Sequence, residues 1–267
     1  MSIRRVVRGT LAWDRLETVA REVAARYDQP VLRMTFLEAD NWLSTPCVVN
    51  DEWFVKIVSP QNAFVHALFT GARNVGAFTA SGSGFFEHTA GPVEMAEHEL
   101  EATRRMRDIG LHVPEPIEAF EVDGLGVVVL EYLEDFVTLD ELPPETVADY
   151  ADDLFAALSR MHDNDLAHGD LREENVLVHH GHLYFIDATN VDDDATEDAR
   201  AYDVACALAA LEPHVGAPIA VHAAAEHYSR EEMLEALNFL AFVNLRPDHD
   251  FDSSAVTDEV TALPAED

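Results

Sequence analysis

The sequence predicts an α+β protein with a β-rich first half and a mostly helical second half. Three observations support this: strand-like runs separated by turn residues up to about residue 130, helical periodicity from Pro143 onward, and a change of character at Glu131-Tyr132-Leu133. The chain has 267 residues, of which 48% are apolar, so it is long enough to bury the cores of two lobes. A cleft between the lobes is where a ligand site is expected.

The predicted first lobe, residues 30–130, follows an N-terminal helix extension within residues 1–29. In that extension Trp13 and Val23 lie on one apolar stripe at helical spacing, which indicates an amphipathic helix. Two strand-like segments come next, and Asn50-Asp51 between them is typical of a hairpin turn.

The rest of the first lobe is predicted to contain an insert, one main helix and a second hairpin. Residues 71–92 contain five glycines and show no apolar period, so we predict a flexible insert. A helix is expected from about Pro92 to Ile109, followed by a hairpin that turns at Asp123-Gly124. These elements complete a mostly antiparallel sheet with a packed helix.

The second lobe is predicted to span residues 131–247. A helix begins after Pro143-Pro144, a short hairpin turns at His180-Gly181, and two or three helices follow. The last of these helices is expected to begin at the capping-box spacing Ser229 to Glu232. Residues 248–267 show no periodic apolar face, so we predict a solvated acidic tail.

The charge balance excludes several classes of protein. The formal net charge is −34, and molar salt, which shortens the screening length to about 3 Å, removes most of the resulting repulsion, so we predict adaptation to high salt. An acidic surface argues against a broad basic interface for nucleic acid. No apolar run approaches the roughly 20 residues of a membrane span, and Met1–Asp14 lacks an export signal. Cys47 and Cys206 lie far apart in sequence, so a cytoplasmic protein without disulfides is expected.

The most specific pattern is the segment His168 to Asn175 (HGDLREEN), followed by Ile186-Asp187. It contains an aspartate, Asp170, then an asparagine five positions on, then an aspartate at the end of the next predicted strand. Phosphoryl transfer uses such groups, one to accept the proton of the nucleophile and two oxygen ligands to hold Mg²⁺. The spacing therefore favours phosphoryl transfer over an ordinary polar loop.

A second candidate pair joins the predicted strand and the main helix of the first lobe. The chain has sixteen arginines and a single lysine, Lys56. Glu99 lies on the same predicted helix face as Met95 and Met106, where an apolar residue is expected. A buried carboxylate costs several kcal/mol unless it is paired, so we predict that Glu99 pairs with Lys56. The alternative is a glutamate that reaches solvent at the edge of the stripe.

These motifs resemble the protein-kinase-like superfamily and, within it, the RIO family of atypical kinases and ATPases, which has His-Gly-Asp and Ile-Asp at the corresponding places. The resemblance extends over residues 30–210. It implies a bilobal protein-kinase-like fold, with one main helix in the β-rich N-lobe and a small, mostly helical C-lobe. It makes Asp170 and Asp187 the catalytic residues, with Asn175 and Asp187 as Mg²⁺ ligands and Asp187 also able to accept the phosphoryl group transiently.

The resemblance also implies the cofactor and the partners. ATP is expected, with Lys56 and Glu99 at its phosphates and the backbone of Glu131 and Leu133 at its adenine. Asp203 matches an aspartate whose expected role is to bond the backbone of the catalytic loop. Family members act in small-ribosomal-subunit maturation, so a protein or ribosomal-subunit partner is implied, and nothing in the sequence predicts an oligomeric state.

Two alternatives to a RIO-type kinase or ATPase stay open. Met34-Thr35-Phe36 stands where the family has Ser-Thr-Gly, so the phosphate loop lacks the glycine that lets backbone amides close on a phosphate, which is compatible with a regulatory nucleotide-binding scaffold. Small-molecule kinases of the aminoglycoside or choline type share the His-Gly-Asp loop. Only 34 residues separate Leu133 from His168, fewer than those enzymes use to build an acceptor pocket.

Overall fold

The computed structural model describes residues 11–37, 44–60, 91–188, 196–244 and 251–265. The chain divides into two compact units. Within the described ranges, the first unit comprises residues up to 60, 91–104 and 114–134, and the second comprises 105–113 and 135 onward.

The first unit contains a five-stranded antiparallel sheet in the order β1-β2-β3-β5-β4. The strands are β1 (Met34–Phe36), β2 (Thr45–Val49), β3 (Trp53–Val58), β4 (Pro116–Val122) and β5 (Leu125–Glu131). Valine and other β-branched residues dominate the central strands, as is usual for a buried pleated surface. In the middle of the sheet, Lys56 pairs with Pro46 of β2 on one side and Val128 of β5 on the other.

Two helices cover the two faces of this sheet. Successive strand residues point to opposite faces, so neighbouring valines of β5 contact different helices. One face packs against α1 (Trp13–Arg26), through Val127 and Val129. The other packs against α2 (Pro92–Asp108), through Val128 and Leu130.

One expectation for α1 is wrong. Val23 is fully buried, but Trp13 is 74% exposed. Trp13 is the first residue of the helix, and the apolar contacts of α1 with the sheet begin one turn later, at Leu16. Spacing alone placed it on the stripe without showing where the stripe meets the sheet.

The predicted turns are present and have the backbone angles that tight hairpins need. Asp123-Gly124 has φ values of 50° and 71°, and His180-Gly181 has 51° and 80°. Two consecutive residues with positive φ are typical of a type I′ turn, which matches the twist of the strands. Asn50 and Asp51, both with φ of 55°, begin a three-residue connection that ends with Glu52.

The second unit combines a small sheet with helices. The sheet has the order β6-β7-β8, with β6 (Val137–Thr138), β7 (Val176–His179) and β8 (His182–Phe185). The helices are α3 (Pro144–Asp163), α4 (Thr196–Val215), α5 (Ala217–Ala225), α6 (Arg230–Val243) and α7 (Ser253–Ala262). Residues 201–211 of α4 are all buried, so α4 forms the centre of this unit, and Asp203 is the charged residue within that run.

The C-terminal predictions are partly wrong. Ser229 and Glu232 form the predicted capping box at the start of α6. However, α6 is not the last helix, and the described part of the predicted tail is not solvated throughout, because α7 buries Val256 and Val260. Asp252 caps α7 by accepting the backbone N–H groups of its first turn. Two buried valines one turn apart are too weak a signal to stand out in an acidic sequence.

Two remaining predictions concern the insert and membrane spans. Most of the predicted insert at 71–92 lies outside the described residues, which resume at Gly91 just before α2 begins. No helix in the described ranges combines the length and the apolar character that crossing a bilayer requires.

Gly126 controls how closely α2 approaches the sheet. A Cβ at this position would lie 1.9 Å from the carbonyl oxygen of Pro92 and 2.9 Å from the backbone nitrogen of Val93. Because both obstacles are backbone atoms, we expect Gly126→Ala to lower the free energy of unfolding by about 1–3 kcal/mol. Chemical denaturation at constant salt measures this loss. Gly91→Ala is the matched control, since no atom lies within 4 Å of its added Cβ, and equal stability of the two variants would contradict the prediction.

Candidate active site

The first unit contains a buried ion pair between its sheet and its main helix. The Nζ atom of Lys56 lies 2.9 Å from Oε2 of Glu99, and the two side chains are only 10% and 13% exposed. Lys56 comes from the centre of β3 and Glu99 from the middle of α2. The pairing predicted from the helix face is confirmed, and the solvent-exposed alternative for Glu99 is excluded.

The helix face itself is rotated slightly from the predicted one. The most buried residues of α2 are Ala96, Leu100, Thr103 and Met106, whereas the predicted Met95 is only half-buried. Glu99 lies at the border of this buried face, next to Leu100. That position lets the carboxylate reach Lys56 while Ala96 and Leu100 contact the sheet.

Glu131 and Leu133 are the residues expected near adenine. Glu131 is the last residue of β5, and Leu133 lies two positions further along the chain. Leu133 is buried and Glu131 is exposed. The backbone N–H of Glu131 donates to the carbonyl of Glu115 at 2.9 Å, and that of Tyr132 donates to the carbonyl of Glu52 at 3.0 Å. Neither N–H is therefore available as a donor to a nucleotide, which narrows the candidate contacts to the other backbone groups of this segment.

The second unit holds the catalytic-loop motif in place through Asp203. One oxygen of this fully buried carboxylate, Oδ2, accepts the backbone N–H of His168 at 2.5 Å, and Oδ1 accepts that of Gly169 at 2.8 Å. Gly169 has φ of 72°, a conformation that glycine adopts without strain. The role expected for Asp203 is confirmed: it fixes the backbone immediately before Asp170.

Asn175 and Asp187 are brought to the same end of the β7–β8 hairpin. Val176, the first residue of β7, pairs with Phe185, the last of β8, and the backbone N–H of Ile186 donates to the carbonyl of Asn175 at 3.1 Å. Asp187 follows with φ of 59°, a left-handed conformation that aspartate tolerates better than most residues. The ladder therefore continues to the residue before Asp187.

The side chain of Asn175 also orders the loop. It is 3% exposed, and its Nδ2 donates to the backbone carbonyl of Asp170 at 2.8 Å. This bond uses the amide nitrogen and leaves the amide oxygen as the atom that can bind a cation. Asp170, Asn175 and the hairpin end are therefore linked by hydrogen bonds within a single unit.

Charged neighbours surround the Asp170 carboxylate. The Nε of Arg172 lies 3.6 Å from its Oδ2, and the Nη1 of Arg172 lies 2.8 Å from a carboxylate oxygen of Glu174. Burial lowers the pKa of His168, and the nearby carboxylates of Asp203, Asp170 and Asp187 oppose this shift only in part. The histidine of the motif is consequently a neutral, buried group, and its Nδ1 accepts the backbone N–H of Asp170 at 3.4 Å.

The donor set fits Mg²⁺ bound together with a nucleotide. A carboxylate oxygen from Asp187 and an amide oxygen from Asn175 are hard ligands of the kind Mg²⁺ prefers, and phosphate oxygens and water usually supply the others. Within the described ranges, no group of three or more His, Cys, Asp or Glu residues is arranged to hold a metal ion by itself. Asn175 and Asp187 therefore fit Mg²⁺ that also binds phosphate oxygens and water.

Sequence reasoning missed two residues that contact this loop through Asp203. His162, near the end of α3, places Nε2 3.4 Å from Oδ2 of Asp203, and Tyr228 places its hydroxyl 2.8 Å from Nδ1 of His162. Tyr228 is 66 positions from His162. No local pattern connects them, although a histidine facing the buried stripe of α3 was a visible signal.

Residues 88–214 match the family model described as the RIO domain. This segment of the chain is therefore similar to RIO domains. The matched range contains Glu99 and the complete Asp170, Asn175 and Asp187 set, but not Lys56.

One curated relative is similar to part of the chain. The KEOPS complex subunit Bud32 of Pyrococcus abyssi is 29% identical over 123 residues, which is 45% of this chain and 54% of that protein. The chain thus matches about half the length of this relative.

Two solved structures share the fold at low sequence identity. An aminoglycoside-3′-phosphotransferase of type VIII is 16% identical with a TM-score of 0.53, covering 85% of this chain and 98% of that one. The Rio2 kinase–ADP/Mg²⁺–phosphoaspartate complex from Chaetomium thermophilum is 17% identical with a TM-score of 0.51, covering 94% and 76%. At these identities the likeness concerns the fold alone, and it confirms the α+β, bilobal protein-kinase-like class.

The Lys56–Glu99 pair allows a stability test of the first unit. Lys56→Met leaves the Glu99 carboxylate buried without its counter-charge, so we expect the free energy of unfolding to fall by about 3 kcal/mol. The double variant Lys56→Met/Glu99→Leu is expected to be more stable than Lys56→Met, because it removes both charges. Chemical denaturation of the wild type, both single variants and the double variant measures the coupling.

The control for this cycle is an exposed ion pair of the same unit. Arg21 and Glu17 form an i, i+4 pair whose side chains are 77% and 52% exposed. Arg21→Met should change stability by less than about 1 kcal/mol. Additive effects of Lys56→Met and Glu99→Leu would show that the buried pair is not energetically coupled.

Proposed function

We propose that this protein is a Mg²⁺-dependent, ATP-using phosphotransferase or ATPase of RIO type. The observation that carries the proposal is the backbone bond from Ile186 to Asn175, which brings two oxygen ligands to one end of a hairpin beside Asp170. An aspartate accompanied by two Mg²⁺ ligands is the minimal equipment for transferring a phosphoryl group.

Each residue has a chemical role in this proposal. Asn175 and Asp187 hold Mg²⁺, which when bound neutralises charge on the phosphate oxygens. Lys56, oriented by Glu99, contacts the α- and β-phosphates, while backbone groups of Glu131 and Leu133 contact adenine. The buried position of Lys56 supports its role, because a cation held in a fixed place loses little entropy when a phosphate binds.

Asp170 orients the nucleophile and accepts its proton. If the acceptor is a hydroxyl group, its oxygen attacks the γ-phosphorus, the bond to the β–γ bridging oxygen breaks, ADP leaves and Asp170 takes the proton. Serine or threonine hydroxyls, including those of the chain itself in autophosphorylation, are the proposed acceptors. Asp203 and Asn175 contribute by holding the Asp170 backbone, so that less reorganisation is needed during the reaction.

A second route uses Asp187 as a transient acceptor. A carboxylate oxygen of Asp187 attacks the γ-phosphorus and ADP leaves; water then hydrolyses the acyl phosphate, Asp170 takes a proton from the water, and the carboxylate is restored. The Rio2 structure named above contains ADP, Mg²⁺ and phosphoaspartate by its title. For the present chain, that likeness supports a conformational ATPase cycle as part of the proposal.

The proposed setting is the cytoplasm of a cell with a high internal salt concentration. The net charge of −34 supports it, because such repulsion is tolerated when salt screens it. A protein partner is also proposed, either a small ribosomal subunit or another assembly. The name of the Bud32 relative, a subunit of the KEOPS complex, supports a protein partner.

Loss of either aspartate should abolish turnover. In molar salt with Mg²⁺, we expect Asp170→Ala and Asp187→Ala to reduce ATP hydrolysis or autophosphorylation at least about 100-fold, because the first removes the proton acceptor and the second a metal ligand. Chelation of Mg²⁺ should have the same effect. Asp153→Ala, at an exposed position of α3, is the matched control and should retain the wild-type rate. Equal rates in all four proteins would refute the proposal.

Nucleotide binding separates the proposal from its two alternatives. A ligand at 100 times its Kd stabilises the folded state by about 2.7 kcal/mol, so ATP with Mg²⁺ should raise the Tm, and Lys56→Met should reduce that rise. Binding without turnover would favour a regulatory scaffold. ATP consumption that depends on an added aminoglycoside or choline would instead favour a small-molecule kinase.

A further inference from the structure

A buried hydrogen-bonded chain runs from Tyr228 to the catalytic loop within the second unit. The Tyr228 hydroxyl lies 2.8 Å from Nδ1 of His162, and Nε2 of His162 lies 3.4 Å from Oδ2 of Asp203. The same Oδ2 accepts the backbone N–H of His168, and Oδ1 accepts that of Gly169. Tyr228, His162 and Asp203 are 7%, 3% and 0% exposed, so water is largely excluded along the chain.

The chemistry of the three side chains shows which atom donates and which accepts in each of these hydrogen bonds. A carboxylate only accepts hydrogen bonds, so the proton shared with Asp203 must lie on Nε2 of His162. In the neutral ring Nδ1 is then an acceptor, and the Tyr228 hydroxyl donates to it. Burial and the carboxylates of Asp203, Glu232 and Asp163 raise the pKa of Tyr228, against the opposing charge of Arg200, so the phenol keeps the proton that it donates.

Packing restricts movement of both rings. The Tyr228 ring meets the rings of Phe155 and His162 edge to face, with centroid distances of 6.3 and 5.7 Å. The backbone carbonyl of His162 accepts a hydrogen bond from Arg200, whose guanidinium also pairs with Asp165 at 3.1 Å. The backbone N–H of Tyr228 donates to the carbonyl of Ala224 at the end of α5. Arg200 of α4 therefore holds the backbone of His162, and Tyr228 holds its imidazole ring.

We propose that Tyr228 is a positioning residue for the catalytic loop, acting through the neutral Nε2–H tautomer of His162 and the carboxylate of Asp203. The 3.4 Å contact between Nε2 of His162 and Oδ2 of Asp203 is the longest in this series of hydrogen bonds. It competes for Oδ2 with the short bond from the backbone N–H of His168. By fixing the imidazole, Tyr228 keeps Oδ2 oriented towards both donors, and the backbone before Asp170 stays in one conformation. The effect on catalysis rests on the proposed function, whereas the effect on loop order does not.

The test compares two tyrosine-to-phenylalanine variants of the full chain. Tyr228→Phe removes the hydroxyl and keeps the packed ring. Tyr27→Phe is the matched control, because the Tyr27 hydroxyl also makes one 2.8 Å bond, to Glu118 in the first unit. Amide hydrogen exchange of His168 and Gly169 should be at least about fivefold faster in Tyr228→Phe, the effect expected for one lost neutral hydrogen bond, and unchanged in Tyr27→Phe.

Nitrogen NMR of labelled histidine supplies a readout that general destabilisation does not move. Wild-type His162 should show a protonated Nε2 and an unprotonated, hydrogen-bonded Nδ1, and only Tyr228→Phe should shift the Nδ1 signal towards that of an unbonded nitrogen. A protonated Nδ1 in the wild type would overturn the proposal. So would loop exchange that is the same in both variants.

Kinetics distinguish this proposal from the proposed function itself. With ATP and Mg²⁺, kcat should fall about fivefold in Tyr228→Phe with KM for ATP changed less than twofold, and both should be unchanged in Tyr27→Phe. If the wild type has no turnover, the proposed function fails while hydrogen exchange and NMR still decide the role of Tyr228. Turnover that is equal in the wild type and Tyr228→Phe would overturn the positioning role.

Discussion

The second unit of this protein depends on one buried carboxylate. Asp203 lies in the centre of α4, in a run of buried residues, and its two oxygens accept the backbone N–H groups of His168 and Gly169. A charge in that environment is costly unless several donors surround it. The helix and the loop therefore require each other: Asp203 is tolerable because the loop donates to it, and the loop has one conformation because Asp203 is there. The position of Asp170 follows from this mutual stabilisation of Asp203 and the loop.

The first unit is also organised by a buried charge, which here is stabilised by a side chain of opposite charge. Lys56 and Glu99 are both nearly buried, and each makes the position of the other tolerable, which ties β3 to α2. The chain has sixteen arginines and a single lysine, and that lysine occupies the buried position opposite Glu99, which indicates that an ammonium group is needed there. A compact ammonium with a flexible stem reaches a point between two elements, whereas a guanidinium requires a wider, planar set of acceptors. The carboxylate of Glu99, 2.9 Å from Nζ, then holds the ammonium at that point.

The RIO family model matches residues 88–214, and described residues on either side of that range also contribute to the hydrophobic cores. On the N-terminal side, α1 covers one face of the five-stranded sheet through Val19 and Val23. On the C-terminal side, α6 and α7 extend the core around α4, and the turn before α6 supplies Tyr228. Tyr228, outside the matched range, thus contacts His162, which in turn contacts Asp203.

Local features could be predicted from the residues alone: the turns at Asp123-Gly124 and His180-Gly181, the capping box of α6, and the spacing of Asp170, Asn175 and Asp187. Short-range sterics and hydrogen bonds fix these features, so the residues show them directly. The burial of α7, the exposure of Trp13 and the contact of Tyr228 with His162 could not be predicted in this way. Those depend on which surfaces meet, and partners 66 positions apart leave no period or spacing in the sequence that would reveal their meeting.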